Sequence, residues 1–194
     1  MKSRILTIAA LAAGVFAAGQ ALAQQQPAPA APPAMPAPAA PAAPTAPPDL
    51  NAIPEKMPFN IPFGTPIAYD RAQGLVKAAM DEATKRGWAM NVAVVDQNGD
   101  LVAFGRMDGA QLASVAISQH KARTAARYRR PTRAFEDGIQ KFGLNYLLTL
   151  DDVIASRGGI PLVEGGKNIG AIGCTGGTGS QDEATCQAAA GTIK

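Results

Sequence analysis

Apolar positions along this chain change period several times, and each change marks an element. After Thr65-Pro66, a capping residue followed by proline at a first helical position, Ala68, Ala72, Leu75, Val76, Ala79 and Ala83 recur at helical spacing. The spacing predicts a helix that ends at Gly87. Two short β-branched apolar runs follow, Met90–Val95 and Leu101–Met107, separated by Asp96-Gln97-Asn98-Gly99-Asp100. Asn-Gly between such runs predicts a hairpin. Ala110–Tyr128 reads as a second helix, with Ala113, Ala116, Ile117 and Thr124 on one face and His120 on or beside it. Pro131 closes it, and Thr132–Phe142 is a shorter helix. Leu144–Leu150 fits either a helix tail or a loop.

The last third of the chain is short runs broken by glycine. Val153–Ser156 reads as a short strand. Ile160–Val163, the turn Glu164-Gly165-Gly166-Lys167 and Asn168–Cys174 read as a second hairpin. Gly170 and Gly173 lie inside its second strand, where glycine costs stability, so a neighbour is expected to press on the backbone there. Thr175–Gly179 is a glycine-rich corner able to take positive φ, and Ser180 with Glu183 forms a capping box for a helix through Ile193. A glycine loop feeding a helix start can cradle an anion. Gly176, Gly177 and Gly179 do not follow the G-x-G-x-x-G spacing, which favours a corner with no room for side chains. Hairpins on both sides of the helices imply an α+β domain, a mainly antiparallel sheet in an α/β/α layering.

Composition sets the boundaries. Residues 1–23 carry Lys2 and Arg4, an apolar stretch from Ile5 to Ala18, and small residues before Gln24, the pattern of a cleaved signal peptide too short for a stable membrane span. Residues 24–58 are nearly all Ala, Pro and Gln and read as an extended linker without a core. Residues 59–194 are one domain with chain enough for a core. Export to the periplasm or outside the cell is therefore expected. Losing Lys2 and Arg4 takes the formal charge from +3 to +1, so the mature chain offers no general case for nucleic acid.

Cys174 and Cys186 are the two cysteines of the chain. An even count in an exported protein predicts a disulfide between them. His120 is the one histidine, which excludes a multi-histidine metal site. It suits an axial haem ligand or an acid–base role, or equally a subunit contact. Lys121, Arg123, Arg127, Arg129, Arg130 and Arg133 place six cations in thirteen residues, either a site for carboxylates or a solvated or oligomer-forming face. Arg106 and Asp108 stand at a strand end, lining a pocket mouth or pairing to fix the corner. Tyr69, Tyr128 and Tyr146 are alternative oxygen donors to ferric haem. Ser114, Ser118 and Ser156 lack a histidine–carboxylate context, so no enzymatic chemistry is read from the residues.

Two stretches resemble the GlcG/HbpS family of haem-degrading or haem-binding proteins. One is Val94-Val95-Asp96, Gly99, Leu101-Val102 and Arg106-Met107-Asp108-Gly109-Ala110. The other, about fifty residues on, is Gly159-Ile160-Pro161, Ile169-Gly170-Ala171-Ile172-Gly173-Cys174-Thr175-Gly176 and Asp182-Glu183. Cys174 stands where the family carries a small aliphatic residue, and Thr175 replaces its usual serine. The resemblance implies a profilin-like five-stranded antiparallel sheet, a homo-oligomer, and haem or a related tetrapyrrole as ligand. On that basis His120 is the candidate iron ligand, with Arg123, Arg127, Arg106 and Asp108 as further ligand-binding candidates. The same resemblance leaves room for an enzyme acting on haem, or on small hydroxy- or oxo-acids near Arg106, Asp108 and the Gly176 loop. It also leaves room for a structural or sensor-partner protein without a ligand.

Overall fold

The computed structural model describes residues 49, 51–57 and 59–193. The signal peptide and most of the Ala/Pro linker expected from the sequence lie outside them. Four helices and four strands follow in the order α1 (Tyr69–Lys85), β1 (Asn91–Val95), β2 (Leu101–Arg106), α2 (Ser114–Tyr128), α3 (Arg133–Phe142), β3 (Gly159–Glu164), β4 (Lys167–Thr175) and α4 (Gly179–Ala190). The strands form one antiparallel sheet in the order β2-β1-β4-β3. This is the α+β layering expected, with one difference. Among the described residues the sheet has four strands rather than the five implied by resemblance, and Phe63 adds only an isolated parallel bridge to Asn168. Val153–Ser156 is extended but unpaired, because Thr124 takes its backbone instead: the hydroxyl donates to the Asp152 carbonyl at 2.6 Å and accepts from Ile154 N–H at 3.1 Å.

Both faces of the sheet are covered, which is why all five β1 residues are buried. On one side α1 and α4 bury Leu75, Val76, Ala79 and Ala189 against Val92, Val94, Ile172 and the disulfide. Cys174 and Cys186 are bonded, their Cα atoms 5.6 Å apart. On the other side α2 lies over Ala93, Val95 and Ala171 through Ala122, Ala125 and Ala126.

The two sides are packed differently. At Gly173 a Cβ would stand within 3.0 Å of the Ser118 carbonyl oxygen, and at Gly159 within 3.0 Å of that of Lys121. Helix α2 therefore rests on sheet backbone, with no layer of side chains between. That contact decides which face of α2 is inward: Ser114, Ser118, Lys121, Ala122 and Ala125 are buried, whereas Ala113 and Ala116, placed inward by hydropathy, are exposed. The helix also starts at Ser114 instead of Ala110.

Two further boundaries shift. Helix α1 begins at Tyr69, four residues beyond Thr65, and has no side-chain cap. The capping box of α4 is Thr178 with Gln181 rather than Ser180 with Glu183. Thr178 has the extended backbone (φ −72°, ψ 158°) that a cap requires, while Ser180 is already inside the helix.

Candidate functional site

The most highly organised polar group lies where α2, the glycine corner and α4 meet. Lys121 Nζ donates to Asp182 Oδ2 at 2.7 Å, and both side chains are almost wholly buried, 2% and 3% exposed. Asp182 Oδ1 accepts the N–H groups of Gly176 and Gly177, each at 3.0 Å. The Lys121 ammonium also reaches the Cys174 carbonyl at 3.5 Å. The glycine loop is thus an anion cradle, and the anion is the chain's own carboxylate. The corner reading of this loop holds, but for a reason other than positive φ. Gly176, Gly177 and Gly179 all have ordinary φ; a Cβ on them would meet the Ala89 carbonyl, Gln181 and Arg157 respectively.

The residues expected to bind a ligand fall into two groups. His120, half-buried, Arg123 and Arg127 follow one another along the side of α2 facing away from the sheet. Arg123 Nε donates to the Gly99 carbonyl at 3.3 Å, and Arg127 Nε donates to that of Asn98 at 2.6 Å. Arg127 is also paired with the Asp152 carboxylate. These arginines therefore clamp the Asn98-Gly99 turn, where Gly99 has φ +86° and lies under the Arg123 side chain. Arg106 and Asp108 are exposed and stand at the other end of β2. Asn91, the cross-strand partner of Arg106, donates to the Gln111 carbonyl just before α2. From Ser114 to Arg127 the helix rises about 20 Å, so the fold does not bring Arg106 and Asp108 together with the arginines of α2.

The rest of the basic cluster is occupied inside the domain. Arg130 is desolvated among aromatic rings, 4.0 Å from the Phe59 centroid and 5.0 Å from that of Phe135; this burial lowers its pKa. Arg129 lies 5.1 Å from the Phe63 ring and donates to the Ile61 carbonyl at 2.8 Å. Tyr128 donates its hydroxyl to the Asp151 carbonyl. Arg133 binds Glu183 at 3.1 Å. Arg157 binds Glu136 at 2.6 Å. Burial pushes the Glu136 carboxyl upward, but the side-chain and backbone hydrogen bonds from Arg157 outweigh it and leave the pKa below 4.5.

Sequence reasoning placed Lys121 among the surface cations and overlooked its pairing with Asp182. The available signal was spacing: Lys121 follows Ser114 and Ser118 at helical intervals, on the row of small residues that continues to Ala125. Among the described residues no three His, Cys, Asp or Glu side chains gather as a metal site. A groove of about 630 Å³ runs between α1 and β2, with Tyr69, Lys77, Met80, Leu101 and Phe104 among its walls. His120 is not one of them.

Comparison with known proteins gives a consistent result. The family model described as "Haem degrading protein HbpS-like" matches residues 67–191. Protein GlcG of Escherichia coli K12 is 37% identical over 107 residues, which cover 55% of this chain and 79% of that one. A double mutant of Streptomyces reticuli HbpS superposes with a TM-score of 0.63 at 26% identity, over 76% of this chain and 99% of that one. A crystal structure of a PduOC:haem complex gives 0.60 at 28% identity, over 67% and 96%.

Proposed function

The chain belongs to the HbpS-like family, and from that premise we propose that it is an exported binding protein for haem or a related tetrapyrrole. The observation that carries the ligand class is its likeness to a relative crystallised with haem. The donor set on the outer side of α2 fits such a ligand. A half-buried imidazole at His120 is followed one and two turns later by the guanidiniums of Arg123 and Arg127.

Bound haem supplies a large planar apolar ring, two carboxylates and an iron that accepts an axial donor. The chain's part is to hold and orient it. His120 offers a nitrogen donor, and guanidinium groups match carboxylates in a bidentate fork. Arg123 and Arg127 are already tied to the Asn98-Gly99 turn and Asp152. Their heads are therefore pre-positioned, which lowers the entropy lost when an anion is taken.

Titration with haemin, followed by absorbance, tests the reading. Arg123→Ala with Arg127→Ala weakens binding at least about 10-fold, each lost charge-assisted hydrogen bond contributing about 1.5–3 kcal/mol. His120→Ala moves the Soret band. If affinity and spectrum survive all three substitutions, the site is not on α2. If the unmodified chain takes up no haemin, the ligand class is wrong.

A further inference from the structure

The two edges of the sheet are guarded unequally. At one edge β3 carries Pro161, which has no N–H to offer another strand. At the other edge β2 reads Leu101-Val102-Ala103-Phe104-Gly105, five residues without a charge or a proline, and Leu101 is 50% exposed. Among the described residues no strand pairs with the outer side of β2. Natural edges of this kind carry charges or prolines unless something covers them.

Helix α1 shows what fits there. It runs alongside β2: Arg71, near its start, binds Glu164 at the Leu101 end of the sheet, and Val76 and Met80 lie over Gly105. Stepping back two residues from Gly105 to Ala103 covers about 6.7 Å of strand, or about four residues of helix. The middle of β2 therefore lies roughly beneath Leu75.

The groove side of α1 carries Tyr69, Gln73, Lys77 and Asp81 in one row, spaced evenly about that same position. We propose that β2 pairs antiparallel with β2 of a second copy about a two-fold axis through Ala103, joining two sheets into one of eight strands. The two-fold sets the α1 rows side by side in opposite directions. Tyr69 then faces Asp81 of the other copy, and Gln73 faces Lys77. Each of these pairs matches a donor to an acceptor. Lys77 is tied to Asp81 at 2.6 Å, leaving a carboxylate oxygen for the incoming phenol. Tyr69 accepts from Gln73 at 2.7 Å and keeps its own proton to donate. An isologous contact demands this self-complementarity.

Both native cysteines are bonded to each other, so an introduced cysteine is the one free thiol. In the chain as isolated from the expressing cell, Ala103→Cys sits on the axis and cross-links under mild oxidation, shifting to twice the chain mass on a non-reducing gel. Leu101→Cys lies opposite Gly105 and stays uncrosslinked. Sedimentation gives a dimer or an even-numbered multiple, and Tyr69→Phe, a surface change harmless to folding, weakens self-association at least about 10-fold by removing two charge-assisted bonds per dimer. A monomer, cross-linking at position 101 instead of 103, or an unchanged association constant for Tyr69→Phe each overturns the proposal.

Discussion

Replacing Asp182 with asparagine tests how this fold tolerates a charge at its centre. The change preserves shape and one acceptor oxygen, so the N–H groups of Gly176 and Gly177 keep a partner. It leaves the Lys121 ammonium, 2% exposed, facing an amide with only the Cys174 carbonyl at 3.5 Å to bind. Breaking a buried pair by removing one partner costs about 3–5 kcal/mol, most of it the uncompensated charge. That is a large part of the roughly 5–15 kcal/mol that holds a domain together. At about 4 °C per kcal/mol for a domain of this size, Tm falls by about 12–20 °C.

The reverse change, Lys121→Met, costs less. The carboxylate it leaves still accepts two backbone N–H bonds, and Met fills a comparable volume. Combining the two, with leucine at position 182, recovers part of the loss because neither charge remains. Urea unfolding followed by circular dichroism, read as a double-mutant cycle, measures all of this. A loss below about 1 kcal/mol for Asp182→Asn, or a Lys121→Met variant weaker than Asp182→Asn, would refute the reasoning.

Three further outcomes are expected. Cys186→Ser opens a cross-link of sequence separation 12 and lowers unfolding free energy by about 3 kcal/mol; thermal melts of the two oxidised proteins check this, and equal Tm values would contradict it. The Glu136 carboxyl is held below 4.5 by Arg157, so its contribution is fully present above pH 4.5 and is lost as pH falls through the lower folded value; Glu136→Gln should flatten that acid limb in a pH series of urea melts while changing its upper limb little. Export should cleave the chain after Ala23, and intact-mass analysis of secreted protein should begin at Gln24.

Legibility from the sequence followed the kind of packing. Both hairpins were readable because their turns are made by local chemistry, Asn98-Gly99 in one and Gly165-Gly166 in the other. The inward face of α1 was readable because α1 buries ordinary apolar side chains against the sheet. The inward face of α2 was not. A helix resting on strand backbone needs small residues, and Ser114 and Ser118 serve as well as alanine. Hydropathy reads serine and lysine as surface, so it turned the helix outward. Gly170 and Gly173 did signal close approach, and the Val95 and Ser118 carbonyls are what approach them. The split between Arg106 and the arginines of α2 was invisible, since it depends on the direction in which α2 crosses the sheet.

The clasp at Phe59 and Phe63 also sets a load path. Pulling on the residues that precede Phe59 is resisted first by ring faces under Arg130 and Arg129 and by the Arg129–Ile61 bond. Behind them stands the single bridge from Phe63 to Asn168. These contacts are few and can peel one at a time, whereas β4 is held on both sides by whole ladders and tied to α4 by a covalent cross-link. Tension applied from that end should therefore be spent in a short, recoverable yielding of the first dozen or so ordered residues, with the sheet still closed behind them.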